Sequence, residues 1–177
     1  MANQIIGSQQ NLSRKSKNQS LDQFLTFALA PEQQALLPTQ QLLEIVKVNL
    51  SQLTAIAVIS TSVMGVYNWR GDVIWVVDLA SMLGYKPLYA QEYEQGKFQD
   101  KCHIIFVRSQ DCVLGFAVSQ VGQMIRCDTA TIQTSGFSFT NPAMMKACRG
   151  YWLNGSNETF LVLDGDAIAQ IAQTSSA

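Results

Sequence analysis

Hydrophobic residues of this chain lie in short runs separated by glycine, proline and polar turn residues, a pattern typical of β-strands. The first run, FLTFALA, ends at Pro31, and QQALLP is predicted to be the return strand. After Pro38 the sequence predicts a brief helix or turn and then another strand in LLEIVKV. Order is therefore expected from about residue 21. Residues 1–20 are polar and low in complexity, which predicts a disordered N-terminal tail.

The central segment predicts a hairpin followed by a capped helix. Two apolar runs, VMGVYNW and VIWVVDL, flank Arg70-Gly71-Asp72, and Gly71 readily supplies the positive φ that a tight turn needs. The second run is apolar on both faces, which predicts a strand deep in a packed barrel or sheet. Asp78 is placed to cap a short helix in LASML, with Gly84 as its C-terminal stop.

The second half of the chain repeats this plan. CHIIFVRSQDCVLGFAVSQVGQMIRC predicts two long strands joined at residues 109–111, and residues 128–149 have little periodicity and are predicted to be a long loop. The last segment then echoes the centre, with Gly150, a strand containing Trp152, a turn at Asn154-Gly155, an apolar run, an aspartate and a helix. The repeat predicts two related β lobes, in a mainly β domain over residues 21–172 with a flexible tail over residues 173–177.

Composition narrows the classes of function. The chain has 177 residues, of which 47% are hydrophobic and only 14% charged, and its net charge is −1. A nucleic-acid-binding protein would need a basic surface, so this balance argues against that class. No apolar run reaches the length of a membrane helix, and the N-terminus lacks the apolar core of a secretory signal, so we expect a cytoplasmic protein. An adhesion role for Arg70-Gly71-Asp72 needs secretion and is therefore rejected.

Few residues suit catalysis or metal binding. The four cysteines show no C-x-x-C spacing and His103 is the single histidine, so neither a metal site nor a cofactor is expected. An enzyme would require His103 in an open cleft beside a nucleophile such as Ser119 or Cys102. We expect a binding module instead.

Two charged residues stand out in a chain that has few. Arg70 lies beside Trp69 on the predicted hairpin, and Glu44 is a lone acid among apolar residues. Arg70 is either a solvated side chain or an interface residue, for which the planar donor set of arginine is well suited. Glu44 is either an edge charge that prevents aggregation or an interface charge.

Several short motifs occur in an order that is more specific than any one of them. They are F-x-L at residues 27–29, LLEI at residues 42–45, G-V-Y-N-W-R-G-D-V-I-W-V-V-D-L at residues 65–79, a glycine-led strand at residues 115–121, and a segment ending L-V-L-D at residue 164. Together they resemble the CheW-like family of chemotaxis coupling proteins, from about Gln23 to Gln170. Trp69 replaces the usual leucine, Trp75 the usual proline and Ser119 a common aspartate. The tryptophan variants are similar to cyanobacterial members linked to phototaxis and pilus-driven motility.

The resemblance implies two five-stranded SH3-like β-barrel lobes with a hydrophobic groove between them, and no catalysis. It implies an adaptor in the cytoplasm, recruited to membrane receptor arrays. Its partners would be the tip of a methyl-accepting receptor and the regulatory domain of a CheA-type histidine kinase, with ring assembly through kinase domains of the same fold. Its site residues would be a partner-binding set and one helix cap, namely Leu42, Glu44, Gly65, Asn68, Trp69, Arg70 and Gly71, with Asp78 as the cap. The alternative is a CheW-like scaffold for another signalling partner.

Overall fold

The computed structural model describes residues 21–56, 60–94, 100–110 and 112–174. The predicted N-terminal tail lies outside these residues, as do residues 175–177. Ten strands form the framework: β1 (Leu21–Ala30), β2 (Gln33–Pro38), β3 (Leu42–Asn49), β4 (Val63–Trp69), β5 (Asp72–Asp78), β6 (Lys101–Ser109), β7 (Cys112–Val118), β8 (Gln120–Asp128), β9 (Cys148–Leu153) and β10 (Thr159–Leu163). The α-helices are α1 (Leu79–Met82), α2 (Leu88–Glu94), α3 (Pro142–Ala147) and α4 (Gly165–Thr174).

The strands form two five-stranded sheets, which we call lobe A and lobe B. Lobe A has the order β8-β1-β2-β10-β9, and lobe B has the order β3-β6-β7-β5-β4. In lobe B the residue pair Thr54 and Val66 joins the chain after β3 to the far edge strand β4. Gln133 and Tyr151 make the same link between β8 and β9 in lobe A. Each sheet therefore closes on itself, and the predicted mainly β fold with two lobes is confirmed.

The two lobes have one topology because the chain contains an internal repeat. Strands β1 to β5 and β6 to β10 correspond one to one, since this substitution converts the strand order of one lobe into that of the other. Each repeat gives its first hairpin to one lobe and its last three strands to the other. Lobe B is consequently built from the continuous segment 42–118, whereas lobe A takes β1 and β2 from one end of the chain and β8 to β10 from the other.

Side chains alternate along these strands, so each lobe buries one face inside its own barrel and another against its neighbour. Phe24 and Phe160 lie within lobe A, and Ile104 and Phe106 lie within lobe B. A third cluster is shared by both lobes and by helices α1, α3 and α4, with Phe27, Val107 and Phe116 as examples among many. The junction between the lobes is thus filled by packed side chains. Where it opens, a cleft of about 520 Å³ lies between the β1–β2 turn and the segment joining α1 to α2.

Three local predictions were wrong, two because of how strands pack and pair and one because a local helix start was overlooked. Strand β5 is not buried throughout, because Val73 and Trp75 lie on its outer face and are 68% and 39% exposed. The segment predicted as two strands contains three, since β8 leaves lobe B after β7 and pairs with β1 in lobe A. Residues 128–149 contain helix α3, which Asn141 caps by accepting hydrogen bonds from the backbone N–H groups of residues 143 and 144.

Candidate functional site

The central hairpin turn consists of two of the three residues predicted for it, since Asp72 already belongs to β5. Arg70 and Gly71 have φ values of 55° and 96°, and they join Trp69 of β4 directly to its partner Asp72 of β5. Two successive residues of positive φ match the right-handed twist of the flanking strands. The side chain of Asn68 accepts a hydrogen bond from the N–H of Gly71 at 3.0 Å. The turn is fixed by its own residues, so Arg70 is presented from a defined position.

Glu44, Trp69 and Arg70 converge into a cluster that we call the clasp. Glu44 lies on edge strand β3, whereas Trp69 ends the opposite edge strand β4. The Glu44 carboxylate accepts a hydrogen bond from the Trp69 indole N–H at 2.7 Å and from Arg70 Nε at 3.1 Å, and it pairs with Arg70 Nη2 at 2.9 Å. The clasp therefore joins the two edges of lobe B at the end where the hairpin turns.

The clasp also plugs the barrel of lobe B. The Trp69 ring stacks on buried Phe106, with ring centroids 4.9 Å apart. The guanidinium of Arg70 lies over the same indole, 5.3 Å from its centroid. The side chain of Arg70 is nevertheless 70% exposed, against 32% for Glu44. Arg70 is thus oriented by Glu44 and Trp69 while most of its side chain stays open to solvent.

The remaining predicted partner-binding residues have different surroundings. Leu42 is partly buried and packs on the cluster shared by the lobes. Gly65 faces inward, where an added Cβ would lie 2.3 Å from the carbonyl oxygen of Thr54. Gly65 therefore permits the close approach of two backbones, whereas Asn68 is exposed beside the turn.

An exposed apolar patch next to the clasp was missed by the sequence reasoning. Val73 is paired with Asn68 and Trp75 with Val66 on the outer face of the β4–β5 hairpin. The two exposed apolar side chains lie on one face because they are two residues apart on a strand. The signal in the sequence was concealed, since the run VIWVVDL is apolar at every position before Asp78.

Asp78 is the predicted helix cap, and it does more than cap. Its carboxylate accepts hydrogen bonds from the backbone N–H of Ser81 at 3.0 Å, at the start of α1, and of Leu88 at 2.7 Å, at the start of α2. Burial raises the pKa of Asp78, and these hydrogen bonds offset the effect only in part. The residue thereby ties two helix starts to the end of β5, which is a structural role.

The geometry around His103 does not assemble a nucleophilic pair. Nδ1 of His103 lies 3.3 Å from the backbone carbonyl oxygen of Ser119, so the contact is with the backbone and not with the hydroxyl. Cys102 is the preceding residue of β6 and is buried in the lobe B cluster, on the opposite face of the strand. Within the described parts of the chain, no group of three or more His, Cys, Asp or Glu side chains could hold a metal ion.

A known protein family matches most of the chain. The family model described as CheW-like domain matches residues 23–173. The fold is similar to the crystal structure of the scaffolding protein TtCheW from Thermoanaerobacter tengcongensis, with a TM-score of 0.67 and 19% sequence identity, covering 81% of this chain and 89% of that one. No protein of curated function matches the chain. Among the helices that the structure describes, none combines the length and the apolarity needed to cross a membrane.

Proposed function

The chain belongs to the CheW-like domain family, and from this premise we propose that it is a non-enzymatic adaptor of chemotaxis signalling. It couples a methyl-accepting receptor to a CheA-type histidine kinase of a two-component system. The observation that carries the proposal is the clasp, in which an arginine that is mostly exposed is held in place by a carboxylate and an indole. An oriented arginine beside exposed apolar side chains is the composition expected of an interface centre.

The mechanism is simultaneous binding of two partners. An adaptor that holds receptor tip and kinase together raises the effective concentration of each for the other. A small shift in the receptor then changes the conformational equilibrium of the kinase, provided that the two kinase states differ in their contacts with the assembly. The adaptor itself needs no reactive group for this role.

We assign the receptor side to the clasp and its surroundings. Arg70 and Glu44 supply the charged contacts, and the Trp69 indole contacts both side chains and holds them in place. Asn68 and Gly71 hold the hairpin turn, Gly65 holds β4 close to Thr54, and Leu42 anchors the start of β3. Val73 and Trp75 extend the surface with apolar area, towards the roughly 1,600 Å² that a stable interface buries in total. The kinase regulatory domain occupies a separate apolar surface, and repetition of both contacts would support ring assembly.

The cellular setting follows from the same partners. We place the protein in the cytoplasm, recruited to receptor arrays at the membrane. Trp69 and Trp75 occupy positions where the family usually has leucine and proline, and these variants favour phototaxis or pilus-driven motility as the output.

Calorimetric titration tests the proposal. The wild-type protein is titrated with the regulatory domain of a CheA-type kinase from the same genome, and separately with a receptor-tip fragment. We expect one-to-one binding of the kinase domain with a Kd in the micromolar range or tighter, about −8 kcal/mol. Arg70→Glu should weaken receptor binding, because it places a second negative charge beside Glu44, and should leave kinase binding unchanged.

Lys146→Glu is the matched control. It also reverses one exposed charge, but on α3, which packs on α4 and β9 away from the β4–β5 hairpin. Receptor affinity should be unaffected by it. If Arg70→Glu and Lys146→Glu behave alike, the clasp is not an interface. If no such kinase binds the wild-type protein, the chain is a CheW-like scaffold for a different signalling partner.

A further inference from the structure

The internal repeat allows the two lobes to be compared residue by residue. Gly65 of β4 corresponds to Gly150 of β9, because the next residue of each strand makes the closing pair, with Thr54 and with Gln133 respectively. An added Cβ at either glycine would lie 2.3 to 2.5 Å from the carbonyl oxygen of that partner. Counting four residues onward from each glycine, the counterpart of Trp69 in lobe A is Asn154.

Further correspondences follow from strand register. Phe106 pairs with Gly115, and Gly115 also pairs with Val76 of β5. In lobe A, Thr26 pairs with Leu36, and Leu36 also pairs with Val162 of β10, which is the same arrangement. Thr26 is therefore the counterpart of Phe106. A 3-10 turn follows β3 at Leu50–Gln52, and another follows β8 at Thr129–Thr131. Glu44 and Gln123 each lie six residues before the start of their turn, so Gln123 is the counterpart of Glu44. The three residues that close the end of lobe B therefore all have polar counterparts in lobe A, namely Asn154, Thr26 and Gln123.

The structure shows what this replacement leaves. At the end of lobe A that corresponds to the clasp there is an open cleft of about 530 Å³, a volume typical of ligand sites. We call it the mouth cleft. It is lined by the counterparts Thr26, Gln123 and Asn154, by the rings of Trp152 and Phe160, and by Glu158 at the rim. The ring centroids of Trp152 and Phe160 are 5.8 Å apart, so the apolar part of the lining consists of an aromatic pair together with Ile125.

We propose that the mouth cleft binds an aromatic side chain of a partner protein, in the manner in which lobe B binds its own Trp69. The cleft lies where the Trp69 ring lies in the other lobe, and it has an aromatic lining for a ring to pack on. Gln123 is the counterpart of Glu44 and lines the cleft, and its amide oxygen is an acceptor suited to an indole N–H. A tryptophan-bearing segment of the partner would therefore repeat the clasp between two chains.

The rim adds a preference for a neighbouring basic residue. Glu158 is the one acidic side chain among the described residues that line the cleft, and its carboxylate accepts a hydrogen bond from the Asn154 side chain at 2.5 Å. In lobe B the plugging tryptophan is followed by Arg70, which pairs with a carboxylate. The occupant is accordingly a tryptophan followed by lysine or arginine. This site is independent of the adaptor function proposed above, and its test uses neither kinase nor receptor.

Two short peptides test the proposal on the intact ¹⁵N-labelled protein. The probe is the acetylated amide of residues 68–71 of this chain, Asn-Trp-Arg-Gly, and the control replaces its tryptophan with leucine. The chain has three tryptophans, so their indole N–H signals can be followed separately by NMR. We expect the tryptophan peptide to shift the Trp152 indole signal and not the Trp69 signal. The leucine peptide should bind about tenfold more weakly.

Two variants complete the test. Asn154→Trp fills the cleft with the residue found in lobe B and should abolish binding of the probe. Asn154 also accepts hydrogen bonds from the N–H groups of residues 156 and 158, so a second variant at an exposed site is needed. Glu158→Lys should weaken the peptide roughly fivefold, while N-acetyltryptophanamide, which lacks the arginine, is unaffected.

Each outcome of these binding experiments either supports or overturns the proposal. Equal binding of the tryptophan and leucine peptides, or shifts that do not include Trp152, would overturn the proposal. Binding of N-acetyltryptophanamide with no binding of the peptide would make the occupant a free small molecule and would overturn the assignment to a partner protein. Selective binding of the tryptophan peptide that Glu158→Lys weakens supports it.

Discussion

Replacing Trp69 with phenylalanine removes one hydrogen bond from the clasp while an aromatic ring remains on Phe106. The lost bond is short, at 2.7 Å, and its acceptor is the Glu44 carboxylate, which is about one-third exposed. Hydrogen bonds to charged groups contribute about 1.5–3 kcal/mol, and partial exposure favours the lower end. The smaller ring also loses apolar contact worth roughly 0.5 kcal/mol. We therefore expect Trp69→Phe to lower the free energy of unfolding by about 2 kcal/mol.

Arg70→Gln should cost much less, although Arg70 bonds to the same carboxylate. Its side chain is mostly in solvent, where an ion pair contributes at most about 1 kcal/mol. A larger loss of unfolding free energy for Trp69→Phe than for Arg70→Gln is the result expected if the tryptophan closes the barrel and the arginine is positioned to bind a partner.

Urea unfolding followed by far-ultraviolet circular dichroism measures these differences without relying on tryptophan fluorescence. A loss of about 2 kcal/mol corresponds to a Tm decrease of roughly 4–8 °C in a chain of this length. Trp75→Phe is the matched control, because Trp75 lies on the outer face of β5 and should cost under about 1 kcal/mol. Equal losses for Trp69→Phe and Trp75→Phe, or a larger loss for Arg70→Gln, would refute the reasoning.

Two further predictions concern the stability of the fold. Burial alone would raise the pKa of Asp164, but hydrogen bonds from Gln41 and Arg149 and the charge of Arg149 lower it on balance. Asp164 therefore stabilises the fold above its unfolded-state pKa, near 4, and this contribution is lost as pH falls through the lowered folded-state pKa. The Tm difference between wild type and Arg149→Gln should narrow as pH falls from 7 to 3, and a constant difference would contradict the assignment. Separately, Gly65→Ala should destabilise the protein more than Gly71→Ala by about 2 kcal/mol or more, because only Gly65 meets a carbonyl oxygen, and equal Tm decreases in thermal melts would contradict this.

Local sequence signals predicted the parts of the fold that depend on neighbours in the chain. The turn at Arg70-Gly71 and the cap at Asp78 follow from the backbone preferences of glycine and the hydrogen-bonding of a short carboxylate. The echo between the centre and the C-terminal segment predicted two related lobes because it repeats turn, strand and cap in one order.

Longer-range features were not accessible in this way. Strand β8 is mostly exposed, so its sequence lacks the alternation that would have separated it from β7. The clasp joins Glu44 to Trp69 across 25 positions, and only the closure of the sheet brings them together. Helix α3 was the avoidable error, since Asn141 followed by Pro142 is a recognisable helix start. The mouth cleft is defined by a comparison between lobes, for which strand register is required.

The exchange of hairpins between the two repeats has a consequence for synthesis of the protein. Lobe B is complete once residue 118 has left the ribosome, so it can fold while the rest of the chain is being made. Lobe A must wait for its final strand, which ends at Leu163. Strand β1 can pair with β8 once residue 128 has been made, but β2 must keep its second edge unpaired until β10 follows. The lobe that carries the mouth cleft is therefore the last to form, and chains truncated before β10 would expose the edge of β2 that β10 covers in the finished protein.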